Sequence, residues 1–261
     1  MRLAICAVLL ISCAKRDNRP DWAKPTGAIA GDPTVAGEPA VIKRMPQKPT
    51  LDGKLDEAMW KSATSLGPFV APGNGEVVSE KHPVAGFARL GWDDQALYIG
   101  AVVSDRSPAA PFGRDDVDPH LWEQSSAIEL MIQPGDPGDN KGYYEIQIDT
   151  AGAVFDTRWD DYNKPIVGDG ATRQFGHMDW ASKPERAIHV EPEKYYSIEA
   201  AIPWSAFAGS RVSVPPKPGD VWRLNLYSFR DGQRAALAWS PIRGEGNFHK
   251  SSRFGRIKFE Q

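Results

Sequence analysis

Cysteine is nearly missing from this chain. Of 261 residues only Cys6 and Cys13 are cysteines, both within the first 13. The rest of the molecule therefore has no disulfide, no thiolate metal site and no thiol nucleophile. Long apolar runs are also missing. The strongest, from Leu3 to Ser12, covers ten residues, and a bilayer-spanning helix needs about 20. Neither sign of charge is in excess: 31 Lys and Arg face 34 Asp and Glu, giving a net charge of −3 and a pI of about 6.0. That balance argues against electrostatic capture of nucleic acid or of a membrane surface. The histidines, His82, His120, His177, His189 and His249, are scattered, and no two have the spacing of zinc ligands. There is no Gly-rich phosphate loop and no Gly-x-Ser-x-Gly elbow. No internal repeat of about 20–50 residues occurs.

The chain is rich in turn formers and in tryptophan. It holds 24 Gly, 22 Pro and 9 Trp, as expected of many short strands joined by turns. Met1-Arg2 followed by the apolar run has the layout of a secretory signal. The run ends in Leu10-Ile11-Ser12-Cys13, which resembles the bacterial lipobox. That resemblance implies a signal peptide over residues 1–12 and a lipidated Cys13 as the mature N-terminus. It also implies a lipid-anchored protein of the cell envelope. Ala14, rather than Asp, after the cysteine points to the outer membrane. Residues 13–45 then read as the lipidated cysteine with a flexible Pro- and Gly-rich tether.

From residue 46 onward the pattern becomes that of a folded domain. Asp52-Gly53 signals a turn. Asp56 is placed to cap a short helix over Glu57–Lys61, with Met59 or Trp60 facing inward. Strand-like runs follow at Phe87–Trp92, Ala96–Val103, Ala127–Gln133, Tyr143–Asp149, Ala153–Trp159, Arg186–Val190, Tyr195–Ile202, Val221–Arg230, Ala236–Ser240 and Phe254–Glu260. Pro203–Phe207 reads as a short helical turn. About ten strands with few helices predict an all-β antiparallel sandwich with a short helix near its start.

Strand parity then separates two faces. Ile128, Leu130 and Ile132 share the core side, as do Tyr144, Ile146 and Ile148, and Trp222, Leu224 and Leu226. The opposite side carries Glu129, Met131 and Gln133, then Glu145 and Gln147, then Arg223, Asn225 and Tyr227. If these strands are neighbours, the outer side is a floor of carboxylate and amide groups, which suits vicinal hydroxyls. Trp122 and Phe248, in flanking loops, could supply flat walls for the C–H faces of a sugar. A plain solvated sheet face gives the same pattern.

Several motifs in order now carry a resemblance. They are Leu51-Asp52-Gly53-Lys54-Leu55-Asp56-Glu57-Ala58-Met59-Trp60, Leu90-Gly91-Trp92-Asp93-Asp94, Leu121-Trp122-Glu123-Gln124, Tyr143-Tyr144-Glu145-Ile146-Gln147, Tyr196-Ser197-Ile198-Glu199-Ala200-Ala201-Ile202-Pro203-Trp204, Pro218-Gly219-Asp220-Val221-Trp222 and Phe254-Gly255-Arg256. Together they resemble the family 9 carbohydrate-binding modules over residues 46–261. The resemblance implies an immunoglobulin-like β-sandwich that binds sugars, in some members at chain ends, between two aromatic rings. Carried onto this chain, the site falls on Trp122, Glu129, Gln147 and Phe248, and Asn225 and His249 join it from the strand and loop pattern. Gln147 stands where a sugar-binding member can have Arg, and Phe248 where Trp is expected. The implied role is non-catalytic, with a carbohydrate ligand, glycoside hydrolases as partner enzymes and a part in polysaccharide catabolism.

Glu129 and Glu145 could face one groove as a glycosidase pair does, but binding sites hold hydroxyls with carboxylates too. Asp115, Asp116 and Asp118, and the 136–140 segment with Asp136 and Asp139, offer oxygen ligands that suit a structural calcium; solvated loop acids are the plainer reading. No other cofactor is expected. Related sandwiches hold haem, for which Met131 and His249 are the candidate ligands. A sandwich whose groove is vestigial, serving as an accessory protein of glycoside hydrolases, is the third class.

Overall fold

The protein is described by a computed structural model covering residues 38–79, 82–168, 170–230, 235–244 and 247–261. The stretch read as a signal peptide, Cys13 and most of the stretch read as a tether lie outside the described residues.

Two β-sheets pack face to face. The larger contains β1 (Ala40–Lys43), β5 (Ala127–Gln133), β6 (Lys141–Asp149), β7 (Val154–Asp161), β8 (Gly176–His177), β11 (Val221–Phe229), β12 (Leu237–Ala238) and β13 (Gly255–Glu260). Its order is β1-β13-β11-β5-β6-β7-β8, with β12 beside β11. The smaller contains β2 (Thr64–Leu66), β3 (Ala85–Trp92), β4 (Ala96–Ser104), β9 (Glu185–Glu191) and β10 (Tyr195–Pro203) in the order β2-β3-β4-β10-β9. The strand pairs are antiparallel except β1 with β13, which run parallel. Among the described residues there are two short α-helices, α1 (Ala58–Ser62) and α2 (Leu121–Gln124). The expected all-β sandwich is therefore the observed fold.

The inner faces fill as parity requires. Ile128, Leu130 and Ile132 on β5, Tyr144, Ile146 and Ile148 on β6, and Trp222, Leu224 and Leu226 on β11 are all buried in the inter-sheet core. Trp204, Trp222 and Phe259 interlock edge to face, with centroids 5.3 to 6.0 Å apart, an arrangement aromatic quadrupoles favour.

Three local expectations are corrected. Residues 40–43, within the stretch read as tether, form β1 because Ile42 is an inward apolar residue, fully buried, and its carbonyl accepts from Trp92 Nε1 at 3.1 Å. Helix α1 is not capped by Asp56. Glu57 occupies the cap position and makes no side-chain bond there. The Asp52-Gly53 turn is instead held by Glu199 on β10, whose carboxylate accepts from the Asp52 and Gly53 amides and from Trp60 Nε1 at 2.6 to 2.8 Å. Burial pushes Glu199 up to about 7, against the pull of those donors. The Leu51–Trp60 motif is thus one structural unit: turn, helix and Trp60, tied to a buried carboxyl.

Candidate functional site

On the outer face of the larger sheet, register aligns β11, β5, β6 and β7 into cross-strand rows. One row reads Tyr227, Glu129, Gln147, Phe155, and the next Asn225, Met131, Glu145, Thr157. Phe248 stacks flat on Tyr227 at one end of the first row, with centroids 3.9 Å apart and planes 3° apart. Trp122, on α2, sits edge-on to Phe155 at the other end, 4.6 Å away. The two sequence-expected aromatics thus terminate a row whose middle members are Glu129 and Gln147.

The polar groups form a chain. Gln147 Nε2 donates to Glu129 Oε2 at 3.2 Å and to Glu145 Oε1 at 2.8 Å. Glu145 Oε2 accepts from Trp159 Nε1 at 3.1 Å and lies 3.7 Å from His249 Nε2. His249 Nδ1 bonds the Tyr143 hydroxyl at 2.8 Å, and its ring stacks on Tyr162. Glu129 Oε1 and Gln147 Oε1 are buried without a partner. Desolvation raises Glu129 well above the carboxylate range, reinforced by Glu145, and lifts Glu145 to about 7. The same burial lowers His249 to about 4, so its imidazole is neutral at neutral pH.

The face is polar in pattern yet covered. Glu129 and Gln147 are each 1% exposed. The cover comes from the 247–254 segment, pinned where Asn140 bonds the His249 carbonyl and Ser251, and from α2. Under it lies a second apolar cluster with Met131, Tyr143, Phe155, Tyr227, Phe229 and Phe248. Phe248 is therefore a buried ring rather than a free wall, while Trp122 is half-buried.

Asn225 is corrected as a ligand contact. Its Nδ2 donates to the Ser240 carbonyl at 2.8 Å and its Oδ1 accepts from the Ser240 amide at 2.9 Å, which fastens the chain after β12 to β11. The haem candidates are also committed elsewhere: Met131 is fully buried in the apolar cluster and His249 is bonded to Tyr143. The calcium expectation at Asp136 and Asp139 meets arginine instead. Arg223 and Arg256 pair with Asp136, and Arg211 with Asp139, at 2.7 to 2.8 Å. Among the described residues no group of three or more His, Cys, Asp or Glu is placed to hold a metal.

Sequence reasoning missed Tyr143, Phe155, Trp159 and Tyr162 as site residues. A signal existed: Tyr143, Phe155, Tyr227 and Phe229 share the outer parity, and four aromatics on a face imply that something covers it.

Residues 51–261 match the family described as Carbohydrate family 9 binding domain-like, and the chain belongs to that family. Endo-1,4-beta-xylanase A of Thermotoga neapolitana is 28% identical over 216 residues, and that of Thermotoga maritima 27% over 216. The matched segment covers 80% of this chain but 17% of either enzyme. A family 9 module from Caldicellulosiruptor kristjanssonii, solved with cellotriose, shares the fold at a TM-score of 0.53 and 16% identity, covering 84% of this chain and 93% of that one. A solved structure from Bacteroides uniformis reaches a TM-score of 0.62 at 18% identity, covering 84% and 98%.

Proposed function

We propose that this protein is a non-catalytic carbohydrate-binding protein that holds a glycan against Trp122, beside the row of Glu129 and Gln147 that the buried Phe248 closes at its other end. The observation that carries the reading is the pair of buried, unpartnered acceptors, Glu129 Oε1 and Gln147 Oε1, in a row bounded by those two rings. A buried acceptor without a donor costs roughly 1–3 kcal/mol, and sugar hydroxyls are donors of the right kind. Trp122 is the less buried ring and marks the side of entry. Family membership and the cellotriose complex of the C. kristjanssonii module support the ligand class. The proposed site is one that takes a chain end.

The xylanases that carry a matching segment support a role in polysaccharide catabolism beside glycoside hydrolases. The lipobox-like Ser12-Cys13 supports a lipid-anchored envelope location, at the outer membrane. In cells, palmitate should label the protein but not Cys13→Ala; a labelled mutant refutes the anchor.

The binding test is a glycan array followed by calorimetry on the wild type and Trp122→Ala. Loss of a stacking ring should cost about 1–3 kcal/mol by analogy with base stacking, a tenfold to hundredfold weakening. Equal affinity in the mutant places the ligand elsewhere.

A further inference from the structure

We infer that a second cavity, on the other side of β6 and β7 from Glu145, binds a sugar acid through the guanidinium of Arg158. It lies apart from the Trp122 face, and stands or falls separately from the binding reading above.

Register and parity place it. Tyr144 on β6 and Arg158 on β7 are cross-strand partners, one residue along from Tyr143, Glu145, Thr157 and Trp159 of the outer face. Their side chains therefore project to the inner side. There Tyr144 packs edge-on against Phe207 and beside Trp180. Next to it is a cavity of about 380 Å3, whose walls include Lys141, Tyr144, Arg158, Asp160 and Arg211. Pockets for small ligands run from about 300 to 1,000 Å3.

Three cations line this cavity against one acid, Asp160. Two of the cations have carboxylates of their own. Arg211 bonds Asp139 twice, at 2.8 and 2.9 Å, and Lys141 Nζ lies 3.7 Å from Asp161. Arg158 is different. Its terminal Nη groups make no hydrogen bond to any described residue. Asp160 Oδ1 stands 3.6 Å from its Nε, and the other oxygen of Asp160 is bonded to His177 Nε2 at 2.7 Å. The Tyr144 hydroxyl likewise makes no hydrogen bond among the described residues. Arginine keeps its charge at any working pH, so this donor set depends on no titration.

The planar guanidinium matches a carboxylate, with two N–H bonds onto two oxygens. Asp160 selects the rest of the ligand. A compact dianion such as phosphate would bring its second charge against that carboxylate, whereas a hydroxyl would donate to it. A neutral hexose offers Arg158 only hydroxyl oxygens, which are weaker acceptors. One carboxylate with hydroxyls beside it answers both groups, and a uronic acid has that composition.

The test is an NMR titration of the full protein with glucuronate, methyl glucuronide, glucose and inorganic phosphate. Affinity is read at the amides of Gly142, Gly209 and Arg211, which line this cavity. Glucuronate should bind there about tenfold more tightly than glucose or phosphate, because hydrogen bonds between charged groups are the strong ones. Binding of methyl glucuronide as well assigns the cavity to a uronate unit of a glycan; binding of the free acid alone assigns it to a soluble sugar acid. Arg158→Gln should weaken glucuronate about tenfold, with an unchanged melting temperature and unchanged affinity for any neutral glycan the array identifies. Arg158→Lys keeps the charge without the fork and should recover only part of the loss. The inference fails if glucuronate does not shift these amides, if glucose or phosphate binds there as tightly, or if Arg158→Gln binds glucuronate as the wild type does.

Discussion

Trp122 and Trp222 show how differently one residue type serves this molecule. Trp222 is 1% exposed and wedged among Trp204, Phe207 and Phe259. Trp222→Ala should cost about 3–5 kcal/mol and leave little folded protein. Trp122 is half-buried and touches His120 and Phe155. Trp122→Ala should lower the melting temperature only modestly, a smaller loss than in Trp222→Ala. Equal destabilisation by the two, read by thermal denaturation, would make Trp122 a core residue. Phe248→Ala belongs nearer to Trp222, because its ring lies flat on Tyr227 beneath the cover.

Buried ionisable residues also set the pH dependence. Glu129, Glu145 and Glu199 are all raised in the folded state, the last two to about 7. Between the ordinary glutamate value of about 4.5 and about 7, the folded state binds protons that the unfolded chain does not. Stability contributed by these groups therefore grows as pH falls through that window. His249, lowered to about 4, works the other way below about 6.5, because the unfolded imidazole protonates first. Three acids against one histidine predict a net rise in melting temperature from about pH 8 to about pH 5. Glu199→Ala tests a different property of the same residue. It strands three N–H donors, and should cost roughly 3 kcal/mol or more at any pH in that range. A flat melting profile across the window would contradict the account of the buried carboxyls.

At the scale of elements, alternation was the legible part. Period-two patterns placed β3 to β7, β10 and β11 and their inward residues, because each strand is long enough to show a face. Shorter elements were not legible. β1 and β2 have four and three residues, too few to display a period, and are specified by what they pair with. β1 is nonetheless built into the core. Its Ile42 is fully buried, and its register against Ala40↔Ile257 through Lys43↔Glu260 covers the edge of β13. Deleting residues 38–45 should therefore lower the melting temperature, whereas a pure tether could be removed without effect. The Asp52-Gly53 turn was legible as a turn, but its holder, Glu199, is 146 residues from Gly53 in sequence. Gly53 sits at φ +89, where an added Cβ would lie 2.6 Å from the Ile188 carbonyl carbon. Gly53→Ala should destabilise by about 3 kcal/mol, combining a left-handed backbone with a backbone clash.

For the whole molecule, parity correctly put Glu129, Gln147 and Asn225 on the side away from the inter-sheet core, and the order of motifs pointed to Trp122 and Phe248 at the loops. Parity could not show that the same side is roofed. The roof comes from 247–254 and α2, segments without periodicity, fixed by Asn140, Tyr227 and Tyr143 from three separate strands or turns. That roof turns an exposed polar face into a nearly dry one, which is why burial raises both glutamates there and why unpartnered oxygens are found beneath aromatic rings. It also explains why Asn225, on the expected side, serves the fold.

The location of the ligand decides whether this face is the binding site. The nine tryptophans make it directly measurable through their indole N–H resonances during titration with a binding oligosaccharide. The indoles of Trp122 and of Trp159, which donates to Glu145, should shift with ligand, while those of Trp60, Trp92 and Trp222 stay in place. Saturable shifts at Trp60, Trp92 or Trp222, with Trp122 and Trp159 unmoved, would put the ligand elsewhere and contradict this placement.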